Sequence, residues 1–167
     1  MFGIGKQKVA LTEAVTALLQ VARGSDSDKH RAAEEQFVHP LRATGVDECA
    51  LRYQLQTLRI FAIGYAVRSC GASSLADEYE TQLHDLFVRA GEPVAWRELE
   101  SDLNRYKEAA ETPHHKGPAW QVGKVFAELC GGDSLDIRLV GAGSMAFAAC
   151  MKIVSQFLKE VKIVGAQ

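Results

Sequence analysis

Two glutamate–histidine pairs are the residues in this sequence best spaced for metal chemistry. Glu35 and His39 stand four residues apart, and so do Glu80 and His84. Residues at this spacing share one face of a helix, so each pair could supply two ligands to one metal ion. The alternative is that both pairs are exposed, ion-pairing residues on a solvated helix face.

A loop rich in proline contains a second candidate site. Two prolines and a glycine within residues 112–118 exclude a continuous helix there. Loops carry binding residues more often than helix interiors do, and aromatic side chains commonly line ligand clefts. The alternative is a solvated histidine pair. The residues predicted to line a small-molecule cleft beside this loop are Trp96, His114, His115 and Trp120.

Covalent catalysis has no local signature in the sequence. A nucleophilic cysteine or serine needs a histidine base and an orienting group, yet neither a Gly-x-Ser-x-Gly motif nor a phosphate-binding Gly-x-x-x-x-Gly-Lys-Ser/Thr loop occurs. The cysteines form no Cys-x-x-Cys pair, which argues against zinc-ribbon and thioredoxin-like sites. Enzyme activity and the identity of any cofactor therefore stay open.

Residues 139–151 contain no charged side chain. Within them, Gly141–Ala146 has the spacing Gly-x-Gly-x-x-Ala, and the stretch resembles the opening of a Rossmann-type dehydrogenase domain. That resemblance implies a strand over Ile137–Val140, a pyrophosphate-binding turn, and a second parallel strand with an acidic residue about twenty positions on. Val161–Val164 could be that second strand, but no acidic residue follows Glu160.

The other interpretation makes this apolar stretch a helix, from about Asp136 or Gly141 to Val161. A helix that is apolar all round must be enclosed, either by the rest of the fold or by a second copy of the chain. We expect the apolar seam to be buried within the fold, and symmetric dimers are the commonest closed assemblies. Since catalytic motifs are absent and this segment is apolar, the preferred function is an interaction or assembly module that self-associates as a homodimer through this helix. The predicted interface residues are Gly141, Gly143, Phe147 and Met151.

Glycine, proline, serine and aspartate divide the rest of the sequence into blocks of helical length. A first helix is expected from about Lys6, a second is capped by 25–28, and a third begins after Asp47. Strand-type alternation is confined to Ile137–Val140. The pattern predicts an all-α single domain over residues 1–167, a bundle or orthogonal array of six to seven helices.

Composition sets limits on the partners. The chain has 167 residues, of which 47% are hydrophobic and 24% charged, with a formal net charge of −2. A slightly acidic chain argues against nucleic acid as the default partner, since phosphate binding needs a positive field. The uncharged run is shorter than the roughly twenty residues of a membrane span, so no membrane partner is expected. Without a recognisable secretory signal, we expect a cytoplasmic protein.

Overall fold

The computed structural model describes residues 6–24 and 28–164. Within these residues the chain forms seven α-helices and two short strands and is 80% helical, which confirms the predicted all-α class. A 3-10 helix, His39–Thr44, follows the second α-helix directly. The elements are β1 (Gln7–Ala10), α1 (Leu11–Arg23), α2 (Asp28–Val38), α3 (Glu48–Ser69), α4 (Ser73–Ala90), α5 (Pro93–Glu111), α6 (Gly117–Leu129), α7 (Ile137–Glu160) and β2 (Val161–Val164).

Several helix ends follow the punctuation of the sequence. The side chain of Asp47 accepts a hydrogen bond from the Ala50 amide at 2.8 Å and so caps α3 as predicted. Gly91 closes α4 in the left-handed conformation, and Pro93 opens α5, where its missing N–H costs nothing. The cap expected at 25–28 involves Ser25, Asp26 and Ser27, which lie outside the described residues.

The long helix α3 lies at the centre of the fold. Its buried residues divide between two hydrophobic clusters, so it contacts neighbours on opposite sides. On one side Leu55 and Leu58 pack with residues of α5, α6 and α7. On the other side Ile63 and Val67 pack with residues of α1 and α4. The wide apolar stripe of this helix therefore reflects burial on several faces, as its sequence predicts.

The uncharged C-terminal stretch is helical. Residues 141–146 lie inside the continuous helix α7, whose N-terminus is capped by Asp136 through a 2.9 Å hydrogen bond from the Arg138 amide. The dinucleotide-binding interpretation is therefore wrong, because amides inside a helix bond to its own carbonyls and cannot cradle a phosphate. Ile137–Val140 is likewise the first turn of α7 and not a strand.

The expectation that the first helix starts near Lys6 is wrong. Residues Gln7–Ala10 form β1, which pairs in parallel with β2, with Gln7 opposite Val161 and Ala10 opposite Val164. The two strands come from opposite ends of the described chain, so their pairing is a tertiary interaction that local periodicity does not reveal. This small sheet joins the two ends of the fold.

Candidate functional site

A cleft of about 700 Å³ opens between α3, α4 and α5. Small-molecule sites typically have volumes of about 300–1,000 Å³, so this cleft has the size of such a site. Three helices contribute its walls, and no single segment of the sequence contains it. Its lining residues are Ile60, Phe61, Gly64, Tyr65, Arg68, Ser69, Tyr79, Glu80, Leu83, Trp96, Glu100, Leu103, Asn104, Lys107 and Glu111.

The floor of the cleft is aromatic. Phe61 and Tyr65 from α3 lie with their ring centroids 5.5 Å apart, and Tyr79 from α4 is almost fully buried beside them. Burial raises the pKa of the Tyr79 phenol, whose hydroxyl donates a hydrogen bond to the main-chain oxygen of Ile60 at 3.2 Å. Tyr79 is therefore a neutral, fixed part of the wall and no base.

Gly64 lies in α3 where this helix faces the ring of Tyr79. A Cβ added at Gly64 would lie 3.5 Å from the Tyr79 ring, an ordinary van der Waals distance. The nearest neighbour of this glycine outside α3 is therefore a side chain and not another backbone. A residue larger than alanine at this position would extend into the cleft.

The rim of the cleft is charged. The guanidinium of Arg68 binds Glu80 at 2.9 Å and Asp77 at 3.1 Å, and the hydrogen bond to Glu80 is the main reason that its pKa is raised. On α5, Glu100 and Lys107 make no ion pair or side-chain hydrogen bond with any residue that the structure describes. The rim thus combines a neutralised arginine with free charges on the neighbouring helix.

The ligand residues predicted from the sequence fall in two different places. Trp96 lies on the cleft, where its ring meets the edge of His84 at a centroid distance of 5.0 Å. Trp120 lies on α6 and packs against the hydrophobic cluster that includes residues of α3, α5, α6 and α7. The Lys116 ammonium lies 4.1 Å from the centroid of the Trp120 ring. The cleft lining includes no residue of the 112–120 loop.

The two histidines of this loop contact each other. The rings of His114 and His115 lie 4.2 Å apart, and His114 accepts a hydrogen bond from the Lys116 amide at 3.1 Å. Desolvation first, and then the neighbouring His115, lower the pKa of His114. The pair is therefore a local turn feature rather than a wall of the cleft.

The first metal-ligand pair is held by arginines. Glu35 binds Arg42 and Arg52, each at 2.7 Å, and its pKa is lowered chiefly by the hydrogen bond from Arg52. His39 lies beyond the end of α2, at the start of the 3-10 helix, so the two residues do not share one α-helix. A metal ion at Glu35 would have to displace both guanidinium groups.

The second pair lies at the edge of the cleft. Glu80 binds Arg68, while His84 has Asp85 at 3.6 Å and the ring of Trp96 beside it. Over residues 6–24 and 28–164, no three His, Cys, Asp or Glu side chains are grouped so that they could hold a metal ion. The described chain therefore offers no complete ligand set at this pair.

Two of the predicted interface residues of α7 face the protein's own core. A Cβ on Gly143 would lie 2.7 Å from Phe126, so α6 presses directly on this position. Phe147 is only 2% exposed and stacks on Phe61 at 6.0 Å. Met151 is half-buried between the two clusters, whereas Gly141 has open space around it. A partner chain could reach Gly141 but not Gly143 or Phe147 without opening the fold.

Helix α7 also satisfies the length and composition criteria for a membrane span. It has 24 residues and contains an 18-residue window of mean hydropathy 1.5, of which 39% is buried within the fold. Helix α7 is longer than the uncharged run of residues 139–151, which by itself is too short to span a membrane. Core helices of globular proteins meet the same criteria, and α7 supplies Phe147 and Val154 to the core.

Sequence reasoning missed most of the cleft. Tyr65, Tyr79 and Arg68 line the cleft, yet none of them is among the ligand residues that the sequence predicts. The one local signal was Gly64, a helix-weakening residue in an apolar stretch. Helix packing brings these residues together, and a single sequence does not specify that packing.

No model of a known protein family, no curated protein and no solved structure matches this chain.

Proposed function

We propose that the protein is a binding protein for a small organic ligand, which occupies the cleft between α3, α4 and α5. The observation that carries the proposal is the combination of a cleft of about 700 Å³ with an aromatic floor and a charged rim. Apolar walls with a few polar groups at the mouth are the usual composition of a small-molecule site. The alternative predicted from the sequence was a small-molecule or metal-binding cleft near residues 112–120; the cleft proposed here lies elsewhere and shares only Trp96 with the predicted ligand residues.

The lining favours binding over catalysis. Among the residues that the structure describes, it contains no histidine or cysteine, and the hydroxyl of Tyr79 is already used in a hydrogen bond to Ile60. A nucleophile activated by a neighbouring base needs groups of that kind within hydrogen-bonding reach. The aromatic rings instead offer contact area to an apolar ligand, and the rim offers polar groups that orient it.

The test uses N-phenyl-1-naphthylamine, an uncharged aromatic dye whose fluorescence rises in apolar surroundings. Asn104 is exposed on α5 and lines the cleft, so Asn104→Phe fills the cleft from the surface without disturbing the core. Ser101→Phe, also exposed on α5 but outside the cleft lining, is the matched control.

We expect the dye to bind wild type and Ser101→Phe equally and Asn104→Phe at least about tenfold more weakly, a change of ~1.4 kcal/mol. Absence of dye binding, or equal binding by all three proteins, contradicts the proposal. Circular dichroism of each variant checks that the helices are intact.

Self-association is the second candidate function, favoured by the outward face of α7. Met145 is 66% exposed and Ile153 is 51% exposed, and the open side of Gly141 lies on the same helix. Exposed apolar side chains along one helix are a common feature of dimer contacts. The interface would then lie beside, and not at, the buried residues Gly143 and Phe147.

Light scattering at micromolar concentration tests this candidate. Met145→Lys places a charge on the outward face of α7. The control is Val88→Lys, because Val88 is an exposed apolar residue of α4. A dimer that Met145→Lys converts to monomer and Val88→Lys leaves intact supports self-association, whereas a monomeric wild type ends it. Gly143→Leu does not serve as a test, because it would collide with Phe126 inside the monomer.

A further inference from the structure

Aromatic side chains line the cleft on all three helices. Among the described residues these are Phe61, Tyr65, Tyr79 and Trp96, and the Phe61 ring also stacks on Tyr106 and Phe147. The face of an aromatic ring carries a partial negative charge, which attracts cations and is most effective where water is excluded. The floor is therefore apolar and at the same time favourable to positive charge.

The rim has an excess of negative charge. The described lining carries two cationic side chains, Arg68 and Lys107, against three carboxylates, Glu80, Glu100 and Glu111, which is a net charge of −1. Asp77, bound to Arg68, lies outside this lining. An excess of negative charge at the mouth attracts ligands of the opposite sign.

One of the two cations of the rim is poorly placed to receive an anion. One terminal nitrogen of Arg68 donates to Asp77 and Glu80, so an incoming anion would compete with two carboxylates already in place. Lys107 is then the single unpaired cation of the described lining, against two carboxylates, Glu100 and Glu111, that make no ion pair with the described residues either. Glu100 lies one helical turn beyond Trp96.

If the cleft holds a small ligand, as proposed above, we infer that this ligand is an organic cation: an apolar body with one ammonium group. The aromatic side chains of the cleft contact the apolar body and the ammonium group of the ligand. The carboxylate of Glu100 provides the opposing charge. A quaternary ammonium fits this arrangement best, because it offers no N–H donors and is bound through aromatic faces and long-range charge.

Three probes of nearly equal shape separate charge from size: benzyltrimethylammonium, uncharged neopentylbenzene and anionic benzylsulfonate. Their binding to the full chain is measured by isothermal titration calorimetry at low and at physiological salt. We expect the cation to bind about tenfold more tightly than the uncharged probe, with the anion weakest. The preference for the cation falls with added salt, because the carboxylates of the rim are exposed.

Glu100→Gln removes the charge of the assigned carboxylate without a change of shape. Its control is Glu108→Gln, because Glu108 is an exposed residue of α5 that does not line the cleft. We expect Glu100→Gln to weaken the cation several-fold and to leave the uncharged probe unchanged, with Glu108→Gln like wild type. Equal or tighter binding of the uncharged or anionic probe overturns the cation assignment but leaves the ligand-binding role intact. Failure of all three probes and of the dye overturns both.

Discussion

The hydroxyl of Tyr79 on α4 donates a hydrogen bond to the main-chain oxygen of Ile60 on α3, 3.2 Å away. One helical turn further along α3 stands Gly64, where an added Cβ would lie in van der Waals contact with the same tyrosine ring, 3.5 Å away. A residue larger than glycine or alanine would intrude on this ring, and a shorter residue than Tyr79 would leave α4 without its anchor. The cleft between α3, α4 and α5 therefore depends on the combination of these two residues.

Tyr79→Phe removes the anchoring hydrogen bond and keeps the ring. The Ile60 oxygen retains its acceptor role within helix α3, so no buried group is left without a partner. We expect the free energy of unfolding to fall by about 0.5–1.5 kcal/mol, measured by urea denaturation. A Tyr79→Phe protein as stable as wild type contradicts the anchoring role.

Gly64→Ala and Gly123→Ala should have opposite effects, although both glycines are buried in helices. At Gly64 the new methyl group makes an ordinary contact with Tyr79, and the gain in helix propensity should stabilise the protein by up to about 1 kcal/mol. At Gly123 the methyl group would collide with the main-chain oxygen of Val140 on α7, which should cost about 1–3 kcal/mol. Thermal unfolding of both variants measures the difference, and the reverse order would refute the packing described for α3 and α7.

A buried polar network links α3 to α5. Gln54, 4% exposed, donates to Asp102 at 2.7 Å and accepts from the hydroxyl of Tyr106 at 3.1 Å. Gln54→Met leaves that hydroxyl without an acceptor, which should destabilise the protein by about 1–3 kcal/mol. Tyr106→Phe added to Gln54→Met should recover part of this loss, as measured by chemical denaturation of the four proteins. Additive losses would mean that the two side chains do not act as a pair.

Acid should weaken the attachment of the 3-10 helix His39–Thr44 to the start of α3. Hydrogen bonds from Arg42 and then Arg52 lower the pKa of Glu48 from 4.5 to about 2. A carboxylate with a depressed folded-state pKa contributes stability that is complete above pH 4.5 and is lost as the pH falls towards 2. We expect the unfolding temperature to decline over this pH range, with a shallower decline in Glu48→Gln. Equal pH profiles for wild type and Glu48→Gln would exclude this contribution.

The sequence predicts the helices well because their signals are local. Asp47 caps α3, Pro93 opens α5 and Gly91 ends α4, each for a reason contained within a few residues. The helical state of 137–160 is also predictable, since no second strand with an acidic residue supports a dinucleotide-binding turn. The pairing of β1 with β2 is not, because it joins residues at opposite ends of the described chain.

The candidate site is harder to predict because three separate helices build it. Trp96 is a predicted ligand residue, but its ring lies beside His84 and Phe87, and it shares the cleft lining with Tyr79 and Phe61 rather than with Trp120 or His114. The sequence-based prediction grouped Trp96 with the 112–118 loop, but no residue of that loop lines the cleft with it. On α7, small residues correctly indicated close helix packing, but periodicity alone does not say whether the neighbour is α6 or a second chain.

The most direct test of the cleft uses the two indole N–H signals of the protein in a proton–nitrogen correlation spectrum during titration with N-phenyl-1-naphthylamine. Trp96 lines the cleft and Trp120 does not, and the spectrum of Trp120→Phe assigns the two signals. Binding in the cleft predicts a saturable shift of the Trp96 signal while the Trp120 signal stays in place. An unmoved Trp96 signal, or a shift at Trp120 alone, would contradict a ligand site between α3, α4 and α5.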